Sequence, residues 1–304
     1  MTHLITTLGP KHADEVDAIL PHEHVFVDLR TPDQPGYAQA EAEDVIRLMQ
    51  PELMQLKALG VGALVECTPV GVGRRADLLE AVSRATQFPL VVPTGIYREP
   101  WVPQWALDAS EDALLDWMLG ELQGTIEGSG VQAAWVKLSA GDNGITPVEA
   151  KILRAAARAA VQVNAVIGSH TIKGRVVHDQ LNVIEQMGYT PHRFIAIHAS
   201  AEEDFALNLS VAGRGAWIEY DWIGIQPDEL VIDRVLRMLD AGYANQLLLS
   251  QDRGWFDPAQ PGGGTPKPFT YLHKVFLPKL EAAGVDAATL HQITHVNPFN
   301  AFAR

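Results

Sequence analysis

Apolar residues along the chain fall into two alternating patterns. Short β-rich runs recur at residues 19–20, 63–68, 90–97, 134–139, 165–170, 194–198, 216–221 and 247–252, most of them too short for a buried helix. Between them, residues 41–59, 77–86, 111–126, 148–160, 176–187, 228–239 and 271–283 carry helical periodicity. Thr146 and Pro147 supply an N-cap and a first-turn proline, and Gly60, Gly188, Gly242 and Gly284 stand where helices end in a left-handed residue. Leu48, Met49, Leu53 and Leu56 recur at three-to-four spacing and predict a helix face packed on the sheet.

Near-continuously apolar strands alternating with helices imply a parallel sheet covered by helices, and eight such units fill a (β/α)8 TIM barrel. A doubly wound open sheet is the alternative within the α/β class. No linker or composition shift divides the chain, so a single domain over residues 1–304 is expected. The longest irregular stretch, residues 253–268, follows the last run and is too rich in Gly and Pro for a helix.

Composition adds exclusions. With 47% hydrophobic and 20% charged residues, the chain is neither disordered, collagen-like nor a coiled coil. Its 23 Lys plus Arg against 37 Asp plus Glu give a net charge of −14, which repels phosphate backbones and argues against a nucleic-acid partner. The one cysteine, Cys67, forms no internal disulfide and is too few for a thiolate metal site; it reads as a small buried apolar residue. Neither a signal-like N-terminus nor a run approaching the ~20 apolar residues of a membrane span is present, so a cytoplasmic protein without a membrane partner is expected.

Candidate chemistry gathers at the ends of the runs. His22 and His24 flank Glu23 in ILPHEHVF, and the period of two on a strand sends both imidazoles to one face and Glu23 to the other. Lys137 in AWVKLSA, His170 in VIGSHT, His198 in IAIHAS and Asp252 in LLLSQD each stand at or near the C-terminal end of a run, the edge where barrel enzymes gather their catalytic residues. A lone HxH or a lone strand-end histidine is commonly a packed side chain. Six ligand-type residues converging on one mouth are not. Lys137 is the odd member, because an ammonium has donors but no lone pair for a metal. His3, His12, His178, His192, His273, His291 and His295 fall elsewhere and receive no catalytic role.

These residues, in this order, resemble the phosphotriesterase family of the amidohydrolase superfamily, which includes phosphotriesterases and phosphotriesterase-like lactonases. ECTPVGVGR (66–74), TGIY (94–97), FLPKL (276–280) and VNPFNAF (296–302) extend the resemblance over nearly the whole chain. It implies a binuclear site at the C-terminal face of the barrel. His22, His24 and Asp252 would hold a buried ion, His170 and His198 a more exposed one, and Lys137, carboxylated by CO2, would bridge them. Two divalent ions are implied, zinc by default, with cobalt, iron or manganese also suited to imidazole and carboxylate ligands. The implied reaction is metal-dependent hydrolysis of a lactone or other ester, with promiscuous organophosphate triester hydrolysis, by a hydroxide between the ions. Asp252 would carry the proton and Tyr97 would orient substrate or hydroxide. Tyr97, Arg98, Arg253, Trp255 and Lys267 are the expected substrate contacts, with Arg253 and Lys267 suited to an anionic group. Relatives are commonly homodimers, and a homodimer is expected here.

The chain departs from the family where acidic residues often follow the strand-6 histidine. Ser200 and Ala201 stand nearest His198, and Trp222 follows Asp221, so a proton relay lacks its obvious parts. A lactone needs less help, since its leaving alkoxide stays tethered. A phosphotriesterase proper is the alternative; a TatD-like metal nuclease, which usually bridges its metals with Glu rather than Lys, and a non-catalytic binding barrel rank lower. Glu66 has no place in the ligand set and reads as a structural carboxylate.

Overall fold

The computed structural model describes residues 2–304. Its strands are β1 (Ala18–Phe26), β2 (Val61–Glu66), β3 (Leu90–Val91), β4 (Pro93–Thr94), β5 (Trp135–Ser139), β6 (Ile167–His170), β7 (Phe194–Ile197), β8 (Trp217–Tyr220), β9 (Leu247–Leu249) and β10 (Gly254–Phe256). Every pairing between them is parallel, in the orders β10-β1-β2-β3 and β4-β5-β6-β7-β8-β9. Two seams join the runs into a TIM barrel. β3 and β4 are one extended segment interrupted only at Val92, whose carbonyl accepts from Ala134 N–H at 2.8 Å. At the other seam the chain leaving β9 runs along β1, with Asp252 N–H donating to His22 C=O at 3.2 Å and His24 N–H to Arg253 C=O at 2.9 Å.

Alternation along the strands divides the core into two layers. Ile19, Val65, Val91, Trp135, Ile195, Trp217 and Leu248 fill the barrel interior, while their neighbours Leu20, Leu64, Leu90, Val136, Phe194, Ile218 and Leu249 pack outward under the helices. The C-terminal segment plugs the floor, where the Phe302 ring meets Trp135 edge-on at 5.1 Å. In β1 the pairing register slips between Leu20 and Glu23, around Pro21, which cannot donate to the ladder. A strict period of two from Ile19 would turn Glu23 inward. The slip changes the phase, so His22 and His24 face the mouth instead.

The helices α1 (Ala42–Ala58), α2 (Ala76–Thr86), α3 (Gln104–Asp108), α4 (Glu111–Gln123), α5 (Pro147–Val163), α6 (Gly174–Gln186), α7 (Phe205–Gly213) and α8 (Asp228–Asp240) cover the sheet. Thr146 caps α5 in a reciprocal box with Glu149. Gly60, Gly188, Gly242 and Gly284 all have positive φ.

Several elements differ from the sequence reading. β1 spans nine residues, all buried, because His22, Glu23 and His24 interrupt the apolar pattern without breaking the strand. α7 is an additional helix; its sequence, FALNLSVAG, is too uniformly apolar to show a periodicity. The helix expected over 271–283 opens with a π turn, Leu272–Phe276, before α9 (Leu277–Ala282). The same arrangement recurs in α10 (Ala287–His291), the π turn Gln292–Val296 and α11 (Asn297–Phe302). Pro278 and Pro298 explain both, since each proline removes an N–H and crowds the carbonyl four residues back, and a wider turn relieves the clash. The loop over 253–268 holds no α-helix but does hold β10, which lies along β1. No helix among the described residues is long and apolar enough to cross a membrane.

Candidate metal centre

His22, His24, Lys137, His170, His198 and Asp252 all line one cavity of about 220 Å3 at the C-terminal mouth. β1 presents His22 and His24, β5 presents Lys137, and His170 is the last residue of β6. His198 and Asp252 leave β7 and β9 in left-handed backbone, with φ of 63° and 53°.

Behind three of the four histidines stand hydrogen-bond acceptors that fix the ring. His22 Nδ1 lies 3.0 Å from Glu219 Oε2 and 3.1 Å from Asp221 Oδ2, and His198 Nδ1 lies 2.8 Å from Asp221 Oδ1. Asp221 therefore holds both rings by Nδ1 and leaves both Nε2 atoms for the cavity. His24 Nδ1 is 2.7 Å from Thr68 Oγ1. That hydroxyl donates to the Phe26 carbonyl at 2.9 Å, so its oxygen accepts from Nδ1–H and Nε2 is left facing the cavity. His198 Nε2 and His170 Nδ1 converge at 2.7 Å, and Tyr97 Oη lies 3.1 Å from the same His170 nitrogen.

Glu23 points away from the mouth. Its carboxylate accepts from Ser250 Oγ at 2.8 Å and from Arg253 N–H at 2.7 Å, pinning the seam between β1 and the segment that carries Asp252. Glu66 accepts from Val25 N–H at 2.6 Å and Thr68 N–H at 3.0 Å, a structural role.

Burial and crowding separate the titrations. Burial, aided by the Lys137 charge, pushes His22 down to about 3. Burial also opposes charge on His24, but its contacts with Asp252 and Glu66 outweigh this and raise it to about 9. His170 is driven well below the usual histidine range by burial and then by His198 and Lys137. Burial works against the Asp252 carboxylate, yet His24, His22 and His198 together hold it well below the usual range. Glu219 is raised well above the usual carboxylate range by burial and by its neighbour Asp221. Tyr97 is pushed up to about 12 by burial, so its hydroxyl remains a donor.

The donor set fits divalent metal. His22 Nε2 and Asp252 Oδ1 are buried without a hydrogen-bond partner, 3.7 Å apart, and His24 Nε2 lies 3.1 Å from the same oxygen. His22, His24 and Asp252 thus bring three ligand atoms within metal reach. His22, His198 and Asp221 are equally close, but there the carboxylate sits at hydrogen-bonding distance on the two Nδ1 atoms and serves as an anchor. Lys137 is 2% exposed, and among the described residues its ammonium has no hydrogen-bond or ion-pair partner; Nζ lies 5.9 Å from the Trp135 ring centre.

Of the expected substrate contacts, Tyr97 and Trp255 line the cavity. The other three lie outside it. Arg98 stacks toward Tyr97 and Trp101, Arg253 donates to the Gly224 carbonyl at 2.7 Å and covers Tyr271, and Lys267 Nζ sits 4.2 Å over the Trp255 ring. The rest of the wall is apolar, with Val27, Leu29, Val72 and Trp222. Sequence reasoning passed over Glu219 and Asp221 as partners of the histidines. Their signal is in WIEYDW, where two carboxylates at a spacing of two share one strand face, the same device as HEH.

Known proteins match this arrangement in sequence and in fold. The chain is 28% identical to a phosphotriesterase homology protein of Mycobacterium tuberculosis, over 100% of this chain and 98% of that protein. It is 25% identical to an aryldialkylphosphatase of Saccharolobus solfataricus, over 95% and 96% of the two chains. Among solved structures, a variant of a Deinococcus radiodurans phosphotriesterase-like lactonase superposes with a TM-score of 0.88 at 28% identity, covering 98% of this chain and 99% of that one. The phosphotriesterase family model matches residues 2–302, and the chain belongs to that family.

Proposed function

We propose that this protein is a metal-dependent hydrolase of uncharged lactones or related esters, with weaker action on organophosphate triesters. The observation that carries the reading is one cavity in which six convergent ligand-type residues face a wall without a free cation: Arg98, Arg253 and Lys267 are all turned elsewhere. Away from the metal ligands, an anionic or phosphorylated group on the substrate would find no side-chain counter-charge in that wall. Val27, Leu29, Trp222 and Trp255 suit an apolar ring substituent or acyl chain.

His22, His24 and Asp252 would hold one ion and His170 and His198 a second, zinc being the default, with carboxylated Lys137 between them. A divalent pair, when bound, supplies Lewis acidity and a water acidic enough to attack at neutral pH. Carboxylation suits Lys137, because it turns an unpartnered buried ammonium into an anion with two acceptor oxygens. Asp252, kept ionised, accepts the proton of the attacking water and returns it to the leaving oxygen. Tyr97 keeps its proton and orients the substrate carbonyl beside His170. The walls exclude bulk water.

A phosphotriesterase proper is the second reading, favoured by similarity to the aryldialkylphosphatase. Turnover of a lactone panel and an aryl phosphotriester by one preparation, reconstituted with zinc or cobalt plus bicarbonate, separates the two. Lactones turning over faster, with both activities lost on chelation, is the expected result. Faster triester turnover selects the second reading, and turnover that survives chelation removes the metal from both.

A further inference from the structure

At the opposite end of the barrel, a second cavity of about 300 Å3 is lined by Asp14, Asp17, His291 and His295 among others. His291 ends α10 and His295 lies in the π turn that follows, giving the spacing HQITH. Their rings stand on one side of the helical run, centres 4.3 Å apart and planes inclined by 30°.

The proton of His295 is placed by the same device that orients His24 in the mouth. Thr294 Oγ1 donates to the Leu290 carbonyl at 2.7 Å and lies 2.8 Å from His295 Nδ1, so its oxygen accepts from Nδ1–H. The Nε2 lone pair is left bare. His291 is exposed and its ring lies against that of His295. Asp17 is exposed at the wall of the same cavity, directly before β1.

We propose that His291 and His295, with Asp17 rotating in as a third ligand, form a separate binding site for a divalent transition metal on the floor of the barrel. Two imidazoles and one carboxylate, with water completing the shell, favour Zn2+, Cu2+ or Ni2+ over Mg2+ or Ca2+. Asp17 lies just before the first strand and the histidines near the end of the chain, so a bound ion joins the two ends. Because it engages the folded form, added metal stabilises the protein by mass action.

The test uses enzyme whose mouth is already loaded, dialysed against a fixed low concentration of free Zn2+. The wild type is expected to hold one more ion per chain than the double variant His291→Ala, His295→Ala, and to gain thermal stability on zinc addition where that variant does not. Lactone hydrolysis is expected to be the same in both, which separates this site from the one in the mouth. Equal ion counts and equal thermal responses overturn the proposal. Cu2+ titration of the loaded wild type gives a readout without any variant: nitrogen hyperfine structure on the additional copper supports the imidazole pair, and its absence overturns it.

Discussion

The two halves of the mouth are built to different standards. On the β1 side, Glu219, Asp221 and Glu66 stand behind His22 and His24, Asp252 faces their Nε2 atoms in the cavity, and Glu23 clamps the adjoining backbone from the other face. On the β6 and β7 side, Asp221 again anchors His198, but His170 has no carboxylate; its ring contacts are Tyr97 and His198. Orienting carboxylates raise the basicity of an imidazole and fix its ring, so the first half is framed in advance to receive a cation and the second is left freer to adapt. A firm half and a yielding half suit a reaction that must bind a new oxygen and release it each cycle.

The largest test of this asymmetry is Asp252→Asn, which removes the proposed proton carrier and the carboxylate that faces His22 and His24 in the firm half. Turnover should fall by about 10²- to 10⁴-fold, and metal content measured alongside shows how much of the loss is chemistry. Wild-type turnover with both metals retained would remove Asp252 from its role.

Protons and metal compete next in size. His24 in the metal-free chain is raised from 6.5 to about 9, so between those values the firm half carries a proton that metal must displace. Its metal affinity should therefore rise by up to about tenfold per pH unit across that window and level off above it. Competition against a chelator of known affinity at several pH values reads this directly, and a flat profile from pH 7 to 9 would contradict it. The yielding half should show no such rise there, since burial and neighbouring charge hold His170 well below the histidine range.

The smallest effect expected is that of Tyr97→Phe, which deletes one neutral hydrogen bond beside His170, worth about 1 kcal/mol. That corresponds to a loss of roughly fivefold in kcat/KM with metal content unchanged. A loss above a hundredfold would make Tyr97 part of the chemistry rather than of orientation.

How much of this was legible in the sequence follows from what periodicity records. The alternation of strands and helices gave the barrel, and the strand-end positions of His22, His24, Lys137, His170, His198 and Asp252 gave the mouth, because both depend on local spacing. The partners of those residues depend on neighbouring strands and were not legible: Asp221 is 23 positions from His198 yet 2.8 Å away. The direction of Arg253 and Lys267 was hidden for the same reason, since a loop's composition does not say that one side chain will fold back on Tyr271 and the other on Trp255. α7 was missed because a helix apolar on all sides has no face to read.

The left-handed backbone at His198 and Asp252 has a consequence for engineering. A side chain in that region costs of order 1 kcal/mol, a cost that glycine avoids. It is accepted here because the turn brings the His198 amide and ring onto one carboxylate, at 3.0 and 2.8 Å. Glycine would relieve that strain, but at His198 it would also leave the buried Asp221 carboxylate without its ring partner, a loss at least as large. Relaxing the backbone there would remove a side chain that lines the mouth, so libraries meant to toughen this barrel should hold both codons fixed.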